Sequence, residues 1–189
     1  MKALFLALLF LAAAGPADAQ QRKPPPETDK GADKPPDCAA TMGVLPKDWT
    51  GEAYALDGVT LGGVGLKPPL RLWGLQAAEL RDRQSGRETV AGMRARAALE
   101  DMLDKGGHKV KCRTARWDRE CRVVVQCMVE VTPAPIDLGG YLIASGLAWG
   151  SHLEEALPWE PRAGQRYAGA EAEARKAGRG LWPVWLGEK

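Results

Sequence analysis

The clearest chemistry in this chain of 189 residues belongs to four cysteines, Cys38, Cys112, Cys121 and Cys127. An even number of thiols suits oxidation to disulfides in pairs, whereas a structural zinc site needs several thiolate or imidazole ligands and commonly contains a CxxC pair. The sequence has no CxxC and only two histidines. The pattern therefore favours structural disulfides over metal ligation.

Two strand-like runs, residues 110–113 and 122–129, are separated by a polar segment whose centre lies near 119–120. Counting outward from that centre places Cys112 opposite Cys127, so we expect these two residues to form a disulfide. Cys121 cannot bond to Cys127, because six residues along a strand span about 20 Å. Cys38 and Cys121 then either pair through the segment that carries Cys38 or remain free. A link between Cys38 and Cys112 would contradict the hairpin register.

The start of the chain has the pattern of a secretory signal, and disulfides are common in exported proteins. Lys2 precedes an apolar run over residues 3–14, and Ala17-Asp18-Ala19 is the small-x-small pattern of a cleavage site. An uncleaved anchor is the weaker alternative, because a spanning helix needs about 20 apolar residues. We expect residues 1–19 to be a signal peptide, the mature protein to be periplasmic or secreted, and no membrane span to remain after cleavage.

Residues 20–48 are predicted to form a proline-rich, disordered linker. They include Pro24-Pro25-Pro26 and Pro35-Pro36 and few large apolar side chains, so this segment buries too little surface to offset its ordering entropy. Its five basic side chains are matched by five acidic ones, which argues against a polybasic arm. The net charge of the whole chain is only +2 at pH 7, so specific residues must carry any nucleic-acid interaction.

Residues 49–186 are predicted to form one folded domain. The order of elements is three short strands, a helix over 90–103, two further strands, a short helix capped by Asp137, and a last helix over about 165–176. Five strands with a helix between the third and the fourth are the layout of an OB barrel. We therefore expect a mainly β fold with α elements (α+β), built as a five-stranded OB-type barrel with about three helices. The strands are expected at 52–56, 60–64, 70–73, 110–113 and 122–129.

Five motifs in this domain, taken in chain order, resemble the staphylococcal nuclease (thermonuclease) family. No single motif is specific, but their order and the elements that carry them match that family over nearly all of residues 51–183. The resemblance implies the SNase-like form of the OB barrel. The motifs are DGVT at 57–60, RLWGLQAAE at 71–79, DRECR at 118–122, GLA at 146–148, and EAEAR at 171–175 followed by GLW at 180–182.

The resemblance also implies a chemistry, because this family cleaves the phosphodiester bonds of DNA and RNA with a calcium ion. It assigns Arg71 and Arg122 the grip on the scissile phosphate, which suits the rigid fork of a guanidinium. It assigns Glu79 the orientation or deprotonation of the attacking water. The alternative for these three catalytic candidates is structural: they brace one another as a buried ion network.

Two acidic calcium ligands of the family fall at positions where this chain has Val59 and Gln76. Calcium takes about six to eight oxygen ligands and favours anionic ones. Valine offers no side-chain oxygen and glutamine a neutral one, while Asp57 is expected to brace its own turn. We therefore expect the calcium ion implied by the resemblance not to bind, and phosphodiesterase activity to be weak or lost.

Three functions remain open on this reading. The first is an exported, impaired nuclease, which the retained Arg71, Glu79 and Arg122 favour. The second is a catalytically silent OB-fold binding module for single-stranded nucleic acid or an envelope protein, which the missing carboxylates favour. A structural domain of the cell envelope is a third possibility, because the fold alone does not determine the function. The ligand and the oligomeric state do not follow from the sequence.

Overall fold

The computed structural model describes residues 37–45 and 47–187. Five helices and eight strands alternate along these residues, with three helices of seven residues or more. In chain order they are α1 (Cys38–Met42), β1 (Asp48–Ala55), β2 (Thr60–Gly63), β3 (Leu70–Leu72), β4 (Leu75–Ala77), α2 (Val90–Lys105), β5 (Lys109–Trp117), β6 (Val123–Val129), β7 (Ile136–Asp137), α3 (Leu138–Ala144), β8 (Ala148–Gly150), α4 (Ala163–Lys176) and α5 (Trp182–Trp185).

The main sheet has the strand order β3-β2-β1-β5-β6-β7, and a parallel pairing of β3 with β6 closes it into a barrel. The closed part contains β1, β2, β3, β5 and β6, while β4 and β8 form a separate antiparallel pair. Closure removes the free edges that an open sheet would expose. The predicted five-stranded OB-type barrel with about three helices is therefore confirmed.

Helix α2 begins where its sequence predicts and ends two residues later than expected. The side chain of Thr89 caps it by accepting a hydrogen bond from the Gly92 amide at 3.0 Å. Its apolar stripe is buried at the spacing of one helical face, which fixes α2 on the barrel. The stripe consists of Ala95, Leu99, Met102 and Leu103.

The β5–β6 hairpin has the predicted register up to a bulge, and Cys112 lies directly opposite Cys127. These two cysteines form a disulfide with a Cα–Cα distance of 4.0 Å, in agreement with the expected pair. The bulge between Thr114 and Arg116 shifts the register beyond it by one residue. Cys38 and Cys121 form the second disulfide, one of the two options that the sequence left open.

Three strands and two helices of the described chain have no counterpart in the sequence-based expectation. Strands β4, β7 and β8 have two or three residues each, too few to show an alternating pattern. Helices α1 and α5 have five and four residues. Short elements of this kind are set by tertiary pairing, as in the register that places Gln76 opposite Trp149.

The predicted signal peptide, residues 1–19, and most of the predicted linker lie outside the described residues. Where the predicted linker is described, it contains α1 and the first residue of β1. The disulfide from Cys38 to Cys121 anchors this segment, which has few apolar side chains of its own. No helix in the described part of the chain is long and apolar enough to cross a membrane.

A polar cluster around Asp137 joins α4 to the barrel. The Asp137 carboxylate caps α3 through the Gly139 amide and accepts hydrogen bonds from the Tyr167 hydroxyl, each Oδ lying 2.9 Å away. It also accepts from Arg166 at 2.7 Å and from Gln126 at 3.1 Å. Burial, together with the Asp137 charge, raises the pKa of Tyr167, so its phenol stays neutral and keeps donating.

His108 links the end of α2 to strand β1, which gives the fold a pH-dependent contact. Its Nδ1 lies 2.9 Å from the Ala53 carbonyl, and its Nε2 lies 2.7 Å from the Asp104 carboxylate. The hydrogen bond to Ala53 raises the pKa of His108 despite partial desolvation, and Asp104 and Glu100 raise it further. The protonated ring is thus favoured in the folded state.

We expect the melting temperature of His108→Gln to fall below that of wild type at pH 5.5 and to approach it at high pH. A raised folded pKa contributes stability that is complete below the unfolded pKa near 6.5 and is lost as pH rises through the folded value. Melting curves from pH 5.5 to 9 measure the difference. His152→Gln replaces an exposed histidine and is the matched control. Its melting temperature should follow that of wild type over this pH range. An identical pH profile for His108→Gln and wild type would contradict the contact.

Candidate functional site

Arg71 lies on β3, and its guanidinium is surrounded by neutral oxygens. It donates to the Leu75 carbonyl at 2.9 Å, to Oε1 of Gln76 at 2.6 Å and more weakly to the Val59 carbonyl at 3.4 Å. No carboxylate of the described residues forms an ion pair with it. Burial, and then the charge of the nearby Arg122, lowers the pKa of Arg71. The charges of Asp57, Asp118 and Glu120 oppose this lowering in part, but none of these carboxylates forms an ion pair with Arg71.

Arg122 directly precedes β6 and is the last residue of the turn that joins β5 to β6. Its Nε donates to Oδ2 of Asp118 at 2.7 Å, and its Nη2 lies 2.8 Å from the Glu120 carboxylate. Asp118 also accepts the Arg122 amide at 2.9 Å, so one carboxylate orients both the backbone and the side chain. Arg122 is therefore fixed by its own turn and is already paired with anionic groups.

Arg71 and Arg122 both line two neighbouring cavities, which also share Gln76 and Glu120. The larger cavity has a volume of about 580 Å³ and the smaller one about 510 Å³. The further charged or titratable side chains of the larger cavity are Arg116, Asp118, Arg119, His152 and Glu155. Its four arginines outnumber its three carboxylates, so this surface suits an anionic ligand better than a cationic one.

Glu79 lines the smaller cavity together with Arg71 and Arg122, but its carboxylate contacts neither guanidinium. It forms a two-point ion pair with Arg83, in which Arg83 Nε donates to Oε2 at 3.0 Å. Glu79 is also well exposed, with 43% of its side-chain surface accessible. The alternative in which Arg71, Glu79 and Arg122 brace one another as a buried ion network is therefore wrong: the two arginines share a cavity, and the glutamate pairs elsewhere.

The residues at the calcium positions do not fit a calcium ion. Val59 is 7% exposed and packs with the hydrophobic core, so it brings no oxygen. Oε1 of Gln76 is occupied by Arg71, whose charge would repel a nearby cation. Oδ1 of Asp57 accepts the Val59 amide at 2.8 Å, which is the turn-bracing role expected for it. A hard cation that favours several anionic oxygens would find a guanidinium here instead.

Several cavity residues were not singled out by the sequence. Arg116 on β5 bonds to Glu155 through Nε at 2.9 Å and Nη2 at 2.6 Å, which ties the loop after β8 to the barrel. Asp118 was visible only as the first letter of a motif, although an aspartate that opens a tight turn commonly accepts the turn's own amides. No local pattern in the sequence indicates the link from Arg116 to Glu155, because the two residues are far apart in the chain.

The comparison with known proteins gives one family. The model of the staphylococcal nuclease homologue family matches residues 69–184, a span that runs from the start of β3 into α5. This span includes Arg71, Gln76, Glu79 and Arg122, and excludes Val59 and the turn that holds it. No curated protein matches the chain.

Proposed function

Because the chain belongs to the staphylococcal nuclease homologue family, we propose that its domain binds the phosphates of single-stranded nucleic acid at Arg71 and Arg122 and has lost calcium-dependent cleavage. Members of this family act on nucleic acids, and an OB-type barrel is a common platform for single strands. In this proposal the chain keeps the phosphate-binding arginines of the family and lacks the residues that hold its metal ion.

The observation that supports the proposal best is the state of Arg71. Its guanidinium is desolvated, lies near a second guanidinium and has only neutral oxygens as direct partners. A phosphate placed between Arg71 and Arg122 would relieve this repulsion and accept charge-assisted hydrogen bonds from both. Three of the five N–H groups of the Arg71 guanidinium are used in these contacts, which leaves two for a phosphate.

The loss of cleavage is inferred from the groups that would have to activate water. A metal ion normally supplies both the activated water and the main neutralising charge in such a reaction. Val59 and Gln76 give that ion no anionic ligand, and Glu79 is engaged by Arg83. What remains on the chain can hold a phosphate and orient it, which is binding without efficient hydrolysis.

A weak nuclease is the second candidate, and one observation favours it: Glu79 lines the same cavity as both arginines. The Glu79–Arg83 pair is exposed, and exposed pairs contribute only about 0–1 kcal/mol, so a substrate could release the carboxylate. In that case Glu79 would act as a general base and Glu79→Gln would abolish any slow cleavage. In the binding-module proposal, Glu79→Gln leaves oligonucleotide affinity within about twofold of wild type.

Export is part of the same proposal. Two disulfides suit an oxidising compartment, and residues 1–19 have the composition of a cleaved signal. We place the mature protein in the periplasm or outside the cell, where single-stranded nucleic acid or an envelope protein is the available partner.

We expect Arg71→Ala to weaken binding of a fluorescein-labelled oligodeoxythymidine about tenfold or more, because a hydrogen bond to a charged group contributes about 1.5–3 kcal/mol. Fluorescence anisotropy at low salt, with EDTA present, measures the dissociation constant without any metal. Lys105→Ala removes one positive charge at an exposed ion pair that lines neither of these cavities and should change the affinity little. If both variants weaken binding equally, the arginine site is not the phosphate site.

A further inference from the structure

We infer that the Cys38–Cys121 disulfide is a positioning device for Arg122: it holds the β5–β6 turn in the one backbone conformation that aims this guanidinium into the cavity. The inference rests on the proposed phosphate-binding function, because it concerns the placement of one of the two proposed phosphate ligands. It assigns a role in binding to two cysteines that are not among the lining residues of either cavity, although Sγ of Cys38 lies 3.6 Å from the carbonyl oxygen of Asp118, which lines the larger one.

The turn and the Arg122 side chain form one hydrogen-bonded unit around Asp118. The Asp118 amide donates to the Arg122 carbonyl at 3.0 Å, and the Cys121 amide donates to the Asp118 carbonyl at 3.2 Å. The Asp118 carboxylate accepts the amides of Glu120 and Arg122 at 2.9 Å each and Nε of Arg122 at 2.7 Å. A change in the backbone of this turn therefore moves the guanidinium with it.

Cys121 has the least favourable backbone conformation in that unit. Its φ is 56°, in the left-handed region that side chains other than glycine rarely adopt. A tight hairpin turn with a three-residue loop requires such a residue at its last position, and glycine is the usual choice. Here a cysteine occupies the position, and nothing in its own side chain favours that conformation. The disulfide adds a covalent restraint on Cys121 to the hydrogen bonds that hold the turn.

The restraint is firm because the segment that carries Cys38 is anchored at both ends on the same hairpin. At one end Cys38 is buried in α1 and bonded to Cys121, with a Cα–Cα distance of 5.2 Å. At the other end β1 pairs with β5, where Asp48 lies opposite Arg113, and the Thr114 amide donates to the Lys47 carbonyl at 3.0 Å. The segment thus clamps the turn against the body of the hairpin.

The other disulfide provides a contrast within the same hairpin. Cys112 and Cys127 face each other between two regular strands inside the core, and the register between them is already set by the ladder. They line neither cavity and do not belong to the turn. Their bond should support stability without placing any ligand of the phosphate.

The test compares two variants that both lack the link. Cys38→Ala with Cys121→Ser removes the restraint and keeps a side chain at the strained position, so we expect oligodeoxythymidine to bind about tenfold more weakly. Cys38→Ala with Cys121→Gly also removes the restraint, but glycine adopts the left-handed conformation without strain, so affinity should return to within about twofold of wild type. Cys112→Ala with Cys127→Ala should lower the melting temperature and leave the affinity unchanged.

A second measurement distinguishes the misplacement of Arg122 from a general loosening of the domain. If Arg122 leaves the phosphate, the magnitude of the slope of log affinity against log salt should fall by about 0.7, the value of one lost phosphate contact on a single strand. The Cys121→Ser variant and Arg122→Ala should show this reduced slope, and the Cys121→Gly variant should show the wild-type slope. Should the Cys121→Ser variant not fold, Cys38→Ala alone in the presence of a reductant gives the same comparison, because Cys121 then carries an unrestrained thiol.

Two results would overturn the inference while leaving the proposed function in place. In the first, Arg122→Ala weakens binding but the Cys121→Ser variant binds as wild type does. In the second, the glycine variant is as weak as the serine variant, so the backbone conformation is not the cause. If neither Arg71→Ala nor Arg122→Ala affects binding, the proposed function fails, and the inference about the disulfide fails with it.

Discussion

Val59→Asp combined with Gln76→Asp should give this domain a calcium-dependent cleavage of single-stranded DNA well above the cleavage by the wild-type protein. The two changes restore anionic oxygens at the places where the family holds its ion, while Arg71, Arg122 and Glu79 are retained. Water activation and charge neutralisation by a metal are worth several kcal/mol, and each 1.4 kcal/mol is about tenfold in rate. We therefore expect a gain of at least about a hundredfold over wild type.

Neither change alone should suffice, for a reason visible in the contacts. Gln76→Asp places its carboxylate beside the Arg71 guanidinium, which already binds Gln76 at 2.6 Å, so the new charge would be neutralised by the arginine. Val59→Asp puts a carboxylate at a position that is 7% exposed, and a buried charge without a partner is costly. Together they offer an ion two anionic ligands, and the ion relieves the burial of both.

This reasoning predicts a thermal signature that is independent of catalysis. The double variant should melt below wild type in EDTA and gain melting temperature on addition of calcium, because a ligand that binds only the folded state stabilises it. Wild type should show no such gain. Adding Glu79→Gln or Arg71→Ala to the double variant should return cleavage to background.

Two outcomes would count against the account. Efficient cleavage by wild type that a chelator abolishes would mean that other groups of the chain hold the metal. A folded double variant without a calcium-induced thermal shift would mean that the pocket differs by more than these two side chains. Gel assays with labelled single-stranded DNA, in calcium and in EDTA, distinguish both from the expected result.

The fold was predictable because its main elements are long enough to carry a pattern. The stripe of Ala95, Leu99 and Met102 identified α2, and the two strand-like runs around DRECR identified the hairpin and the Cys112–Cys127 register. A closed barrel was expected from the order of five strands and one helix. The parallel β3–β6 pairing that closes it was not predicted, since β3 has three residues and no period of its own. The other elements of two or three residues, β4, β7 and β8, were not predicted, because their pairing partners lie elsewhere in the chain.

The site was predictable as a set of residue types but not as a set of contacts. The resemblance placed Arg71 and Arg122 together, and both line the same two cavities. It could not indicate that Gln76 turns its carbonyl oxygen to Arg71, or that Glu79 pairs with Arg83, because each depends on side-chain competition among close neighbours. The partner of Cys38 was also left open, since Cys38 and Cys121 are 83 positions apart in the sequence.

Asp137→Ala should be the most destabilising single polar substitution among those considered, at about 3–5 kcal/mol. The change removes the acceptor for Tyr167, Arg166 and Gln126 and the cap of α3 at once. The buried Tyr167 hydroxyl loses its acceptor at about 1–3 kcal/mol and α3 loses its cap at about 0.5–2 kcal/mol, while Arg166 keeps its pair with Glu160. Urea or thermal unfolding followed by circular dichroism measures it.

Matched variants show whether Asp137 acts as a hub or only as a helix cap. Tyr167→Phe deletes one donor to Asp137 and should cost about 1–2 kcal/mol, while Asp101→Ala breaks an exposed pair with Lys105 and should change the stability little. In a hub, Tyr167→Phe made on top of Asp137→Ala should cost almost nothing further, because its partner is already gone. If the two losses simply add, Tyr167 and Asp137 are not energetically coupled, and the docking of α4 must rest on its apolar contacts.

The same variants also test the placement of the binding site. Loosening α4 should leave the affinity for oligodeoxythymidine unchanged while the domain remains folded, because Arg71 and Arg122 are held by β3 and by the β5–β6 turn.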